Sequence, residues 1–457
     1  MREDVTQLFQ RVCLSCERRR GNRTHFDMDD FLPPLLRGLE KLCSSYVPLT
    51  VLLICGISIS VAMPRHHVFA SDADRTLESK IAGTDWSNIR GANFIPSYAS
   101  NTYEIWRDYD HDAFENELRL VSSVGYNSVR LWLNYDAFVE LGGTMVDRVE
   151  DALRLCAKYH LRAEIVLFDS CGVRPHQDLK WITAKDAYDQ YQSSSRFTPE
   201  QKAFMAHLFH DYAHGFGART LVPVGASTPF MTLLWQNWQS TPGNDRLGPE
   251  WYPQLEKYVD AIVERMKNNP NVLLWDLMNE PEFASEGPLS ATLLIAPEME
   301  KVRDAFLVHF HDYLKRRFPN EIGTVGWARL DDAEKHSDLS DVITFHVYGD
   351  AAALGREIEK AQAFSVVARK KILITETLAN WDFGKPSFGA MATDEAQLAH
   401  YEEVLPILMK SPIGWIGWGM VISRDFDPYT DIFYPNGIPR PAATFLEKTL
   451  LKAAPTP

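Results

Sequence analysis

The sequence predicts a parallel (β/α)8 barrel. Three observations carry that prediction: eight short apolar runs of strand character, amphipathic stretches between them, and no glycine-rich phosphate turn. The runs cover residues 92–95, 128–133, 163–168, 272–278, 322–327, 342–348, 372–377 and 413–418. Between them, residues 113–124, 145–159, 255–267, 298–317, 353–369 and 395–409 repeat apolar positions at helical spacing. A doubly wound sheet also alternates, but it usually has fewer units and opens on a Gly-rich turn. Neither GxGxxG nor GxxxxGK[ST] occurs, so a nucleotide cofactor leaves no footprint and no cofactor is expected.

One interval breaks the rhythm. Residues 169–271, between the third and fourth runs, hold a helix-like stretch at 199–213 and the aromatic tract 233–238. In a barrel this is an elaborated loop after the third strand, on the face where substrates bind.

Composition narrows the class. The chain has 457 residues, 45% hydrophobic and 24% charged, which is globular and excludes disorder as the main state. Six cysteines are too sparse for a disulfide scaffold. With 47 Lys and Arg against 61 Asp and Glu, the net charge of −14 argues against a nucleic-acid partner. The first 75 residues hold 10 basic and 9 acidic residues, so all of the acidity lies beyond them. Aromatic content of 12%, with 12 Trp, suits a ligand with flat apolar faces such as a sugar, although Trp also fills cores.

Residues 1–75 read as a leader and 76–457 as the barrel domain. The stretch from Tyr46 to Met63 carries no charge, follows Arg37 and Lys41, and precedes the small residue Ala70, the pattern of an export signal cleaved before Ser71. It is longer than the usual apolar core of about 7–15 residues. An uncleaved membrane tether through Tyr46 and Met63 is the alternative. The barrel is therefore expected to be secreted or periplasmic, or anchored outside the cytoplasm. Cys13 and Cys16 form a lone CxxC without a second pair, and the sequon at Asn22 precedes the signal, so neither is assigned a role. Cys156 lies on an apolar helical stripe and is expected to be a buried thiol.

Strand parity places the polar residues. In the second run Ser128, Arg130, Trp132 and Asn134 share one face; in the sixth, Thr344, His346 and Tyr348 oppose Ile343, Phe345 and Val347. The fourth run ends in Asn279-Glu280-Pro281, and the seventh ends in Glu376, where a carboxylate has no packing reason to be. Strands four and seven face each other across the mouth of an eight-stranded barrel, so the two carboxylates can flank one bond. Glycosidic hydrolysis needs such a pair, one carboxyl protonated to donate to the leaving oxygen and one ionised to attack the anomeric carbon.

In order along the chain, Arg90-Gly91-Ala92-Asn93, Arg130, Asn279-Glu280-Pro281, His346-Val347-Tyr348, Glu376 and Trp418 resemble the clan of retaining (β/α)8 glycosidases that includes glycoside hydrolase family 5, the cellulase and mannanase family. The resemblance spans residues 86–445. It implies a retaining hydrolase acting on β-glycosidic bonds of a glucan, mannan or related glycan, with an oligo- or polysaccharide partner and no metal. By that resemblance Glu280 is the acid/base and Glu376 the nucleophile. Asn279 would bond the sugar 2-hydroxyl, Arg130 and Tyr348 would position Glu376 and keep it ionised, His346 would contact substrate or acid, and Trp418 would stack under the sugar. Asn93 belongs to the same matching set. A separation of about 5–5.5 Å between the carboxyls is expected for retention, against roughly 6.5–9.5 Å for inversion.

The third strand departs from the family pattern. A His is common at its end, whereas this chain has Asp169, taken here as a substrate contact. Glu282 competes with Glu280 for the acid role but follows the proline, where a solvated carboxylate is the default. Among the loop tryptophans, Trp235, Trp238, Trp327 and Trp381 are candidate sugar platforms, and Trp86, Trp106, Trp251 and Trp275 are expected in the core. Two other readings compete: a catalytically silent carbohydrate-binding barrel, and a metal-dependent barrel hydrolase using Asp169, Glu280, His346 and Glu376. The first strand offers no His-x-His for the latter.

Overall fold

The computed structural model describes residues 72–99, 101–170, 181–183, 189, 192–193, 221–223, 241–283, 297–379, 393–419, 421–422 and 430–453. The strands, in chain order, are β1 (Arg90–Phe94), β2 (Ser128–Trp132), β3 (Arg162–Val166), β4 (Trp181–Thr183), β5 (Leu221–Pro223), β6 (Val272–Asn279), β7 (Gly323–Trp327), β8 (Val342–His346), β9 (Lys371–Glu376) and β10 (Gly414–Gly417). All but β4 and β5 close into one barrel in sequence order, every neighbour parallel, with β10 returning to β1. The eight expected runs are these eight strands, with ends shifted by at most two residues.

The helices are α1 (Asp72–Gly83), α2 (Thr102–Arg107), α3 (His111–Ser123), α4 (Tyr135–Leu141), α5 (Gly143–Lys158), α6 (Tyr252–Met266), α7 (Pro297–Arg317), α8 (Leu330–Lys335), α9 (Ala351–Ala368), α10 (Asp394–Lys410) and α11 (Pro441–Ala453). The six amphipathic stretches became α3, α5, α6, α7, α9 and α10. Several begin on a side chain that satisfies an orphan N–H: Asp110 for α3, Asp350 for α9 and Thr393 for α10. None of the helices among the described residues is long and apolar enough to cross a membrane. The stretches 46–63 and 199–213 lie outside the described residues.

Two apolar layers hold the barrel. The larger joins the outward faces of the strands to the helices, and Cys156 is fully buried within it, as expected. The smaller fills the barrel floor with Trp86, Ile89, Leu273, Leu274, Leu373 and Ile416, and α1 lays Leu77 and Ile81, one turn apart, against it. α1 thus closes the end of the barrel where the strands begin. At the other end, the long segment after β3 departs and returns at one place: the Asp169 N–H donates to the Thr241 carbonyl at 2.7 Å. Within that segment β4 and β5 pair antiparallel, separate from the barrel.

Candidate active site

Parity assigned the inward side chains correctly for β2 and β8. Arg130 stands inside the barrel, fully buried, and Thr344 bonds Thr324 at 2.9 Å one strand away. Asn134 is the exception on that face. Its side chain caps α4 through Ala137 N and donates to Thr102, so its polarity serves a helix start.

Arg130 organises everything above it. Its Nε donates to Glu164 at 2.9 Å, Nη1 to Asn93 at 3.1 Å and Glu376 at 2.6 Å, and Nη2 to Asp276 at 2.7 Å and Asn279 at 2.8 Å. A guanidinium has five N–H donors, and each meets an acceptor. The plane of the group also lies over Trp132, 4.4 Å from the ring centroid. Five strands are tied through this one side chain. Gly326 makes the arrangement possible, because a Cβ there would overlap Asp276 Oδ2 and lie 3.0 Å from Arg130 Nη2.

The two glutamates meet at the mouth. Glu280 and Glu376 are 6% and 3% exposed, low enough that both depend on protein partners rather than bulk water. Tyr348 Oη donates to Glu376 Oε2, opposite the oxygen that Arg130 holds. His346 lies between the carboxyls, with Nδ1 2.7 Å from Glu280 Oε1 and 3.4 Å from Glu376 Oε2. One oxygen of each glutamate and a ring nitrogen of His346 all lie within 4.8 Å of one another. Glu280 is fixed through its backbone: its N–H donates to Gly326 O at 2.6 Å, and Ser170 Oγ donates to its carbonyl at 2.5 Å. The residue adopts φ +43°, a left-handed conformation that costs a non-glycine residue energy and is found where a site dictates the geometry.

Burial sets the charges. It pushes His346 down to about 4, with Arg130 adding to the effect and Glu376 opposing it, so the imidazole is neutral near pH 7. Its Nε2 is buried without a partner. An N–H there would be orphaned, which favours the tautomer with the proton on Nδ1, facing Glu280. Burial also raises Glu376 above its ordinary value, and the pull of His346, Arg130 and Tyr348 does not offset it. Arg130 and Tyr348 do pull Glu376 down, as expected, but burial outweighs them. The single charge of Arg130 is divided among Glu164, Asp276 and Glu376. Glu164, fully buried, is pushed up to about 8 by burial, with Arg130 opposing the shift.

A cation among Glu280, His346 and Glu376 would have to share Glu376 with the guanidinium 2.6 Å away and with Tyr348. Asp169 is not in that group of ligand atoms. The donor set fits a carboxylate pair steadied by Arg130 better than a metal centre.

No protein-family model and no curated protein matches the chain. Solved structures do. A GH5_18 variant from Streptomyces cattleya in complex with Manb1-4GlcNAc superposes with a TM-score of 0.50 at 15% identity, covering 81% of this chain and 82% of the other. The two chains share the (β/α)8 barrel fold. An exo-beta-1,4-mannosidase from Opitutaceae bacterium strain TAV5 gives a TM-score of 0.47 at 16% identity, over 80% of this chain and 59% of its own length. An endo-1,4-beta-mannanase from Rhizomucor miehei gives 0.46 at 14%, over 77% and 95%. The chain thus spans little more than half of the mannosidase.

Within this barrel the expected residues meet different fates. Glu280, Glu376, Arg130, Asn279, His346 and Tyr348 converge as described, and Asp169 joins them through Asn279 Nδ2 at 3.0 Å. Asn93 converges too, but its amide is spent on Arg130 and on the carbonyls of Thr375 and Gly417, so it positions Arg130 and is not a sugar contact. Trp418 follows β10 and meets Trp132 edge-on at 6.0 Å, at the same end of the barrel as the glutamates. Trp327 is corrected: it points outward from β7, is 1% exposed, stacks on His336 at 4.7 Å, and carries the Arg303 guanidinium 5.6 Å from its centroid, so no sugar can lie on it. Trp235, Trp238 and Trp381 lie outside the described residues. Trp86, Trp106 and Trp275 are core, as expected, while Trp251 is half-buried beneath Arg246. Glu282 is not solvated but buried, pushed up to about 8 by burial, and no hydrogen bond links it to Arg130, His346 or Glu376. Glu164 and Asp276 were not anticipated, although each is a lone carboxylate in an apolar strand, the signal that singled out Glu376.

Proposed function

We propose that the chain is a retaining glycoside hydrolase that cleaves β-glycosidic bonds of a glucan, mannan or related glycan by double displacement. The observation that carries the reading is the pair Glu280 and Glu376, an oxygen of each within 4.8 Å at the ends of opposite strands. So close an approach favours the retaining geometry over the wider spacing that inversion needs for its water. Glu376 attacks the anomeric carbon while Glu280 gives its proton to the leaving oxygen. The resulting ester is then hydrolysed by a water that Glu280, now a base, deprotonates. Arg130 and Tyr348, one on each oxygen of Glu376, orient the nucleophile and receive its charge when it departs. The disaccharide in the Streptomyces cattleya complex supports a β-mannoside among the candidate substrates. Export or membrane tethering through residues 46–63 belongs to the same reading, because polysaccharide substrates lie outside the cell.

Treatment with a 2-fluoro glycoside of the matching sugar should leave one covalent adduct, on Glu376. An adduct on another residue, or none with a glycoside that the protein hydrolyses, rejects the assignment. The pH dependence gives a second check. Glu376 must be ionised to attack, and burial raises its pKa above the ordinary 4.5, so kcat/KM falls on acidification with a midpoint above 4.5. A profile still flat below that value contradicts the nucleophile role.

A further inference from the structure

We propose that the floor of the barrel, at the opposite end from the glutamates, binds a small organic anion bearing a phosphate or carboxylate group, centred on Arg162. A cavity of about 430 Å³ opens there, lined by Ser79, Lys80, Thr84, Arg162, Asn268 and Asn269, with Leu273 and Leu274 forming an apolar wall. That volume lies in the range of small-molecule sites.

The charge balance inside it is incomplete. Glu321 is the carboxylate lining the cavity, and its oxygens are taken: Oε1 accepts from Lys80 Nζ at 3.0 Å and from the Asn268 N–H at 3.0 Å, and Oε2 from Trp275 Nε1 at 3.0 Å. Lys80 and Glu321 cancel. Among the described residues Arg162, half-buried at the first position of β3, has no carboxylate in contact. Among the described residues its one side-chain hydrogen bond is a long one, from Nη1 to Thr84 Oγ1 at 3.4 Å, and Nε is buried with no partner there. Burial lowers its pKa and no neighbouring charge opposes the shift. The contrast with Arg130, whose five donors are all engaged, is direct.

Leaving a guanidinium partly desolvated and unmatched is costly, so an anion that matched it would be favoured. Its planar fork matches the two oxygens of a carboxylate or phosphate. The Thr84 hydroxyl donates to Lys80 O at 3.0 Å and so offers its lone pairs to Arg162, steadying the fork. The apolar wall leaves space for the uncharged part of the ligand. Because the catalytic pair lies at the far ends of the strands, the site would act independently of substrate.

The test is calorimetric titration of the full-length protein with inorganic phosphate and, separately, with acetate, at constant ionic strength with chloride as background. Saturable one-site binding in either arm supports the site, and the preferred arm identifies the anion. Binding should raise the melting midpoint as the ligand concentration exceeds Kd. Arg162→Met should abolish both responses. The absence of saturable binding in both arms overturns the proposal, as does binding by Arg162→Met equal to that of the parent. If the Met variant does not fold, Arg162→Lys keeps the charge and loses the fork. Binding weaker by about tenfold or more then supports the site, and unchanged affinity overturns it.

Discussion

Replacing Glu376 by Ala should reduce turnover of an aryl β-glycoside by on the order of 10⁵- to 10⁶-fold, the scale seen when a nucleophile is removed from an assembled site. Folding should be largely retained, because removing a carboxylate lightens the negative load on Arg130, which still has Glu164 and Asp276. The vacated space lies above Arg130 Nη1 and Tyr348 Oη, two donors suited to a small anion. Added azide should therefore restore turnover and give a glycosyl azide of inverted configuration. An azide product of inverted configuration from Glu280→Ala and not from Glu376→Ala would reverse the two roles, since azide attacking the glycosyl-enzyme of an acid/base variant gives the retained product. The same comparison separates a catalyst from a silent sugar-binding barrel, since a silent barrel has no activity to lose.

The second large effect is on stability. Arg130→Met keeps roughly the length of the side chain and strands three buried carboxylates, so it should cost about 3–5 kcal/mol in unfolding free energy, the penalty for breaking a buried pair from one side. The loss should depend on pH in a fixed direction. Removing the cation raises the folded-state pKa of Glu376, a difference that matters only where the unfolded carboxylate ionises. The deficit thus grows as pH rises above 4.5 and shrinks on acidification towards it, which urea melts at several pH values would show. A deficit below 1 kcal/mol, or one that widens in acid, would mean that the carboxylates find other compensation.

Most of the scaffold was legible because a closed barrel imposes a simple rule on sequence. Each strand needs an apolar outer face, and each intervening helix an apolar stripe. The short helices α2, α4 and α8 escaped notice, since six or seven residues carry too little periodicity to register. At the site, a charged residue closing an apolar strand was a sound signal at Glu376. Applied to β3 and β6 it would also have found Glu164 and Asp276. Position along a strand misled at Trp327, where parity was the better guide: Gly326 faces Asp276 inside, so its neighbour must face out. Proline misled at Glu282, because the short turn Pro281–Phe283 carries the side chain into the protein rather than into solvent. The charge state of Glu376 could not be read from its partners alone, since it depends on how many carboxylates share one guanidinium.

The hydrogen bond from the Asp169 N–H to the Thr241 carbonyl has a consequence for how such a protein can change. A segment whose two ends already touch can be lengthened, shortened or exchanged with little entropic penalty, and the frame beneath it need not move. The glutamates are anchored from below by Arg130 and Gly326, so replacing that segment with a foreign one, joined at the same two residues, should change what the barrel mouth accepts and leave the carboxylate pair in place.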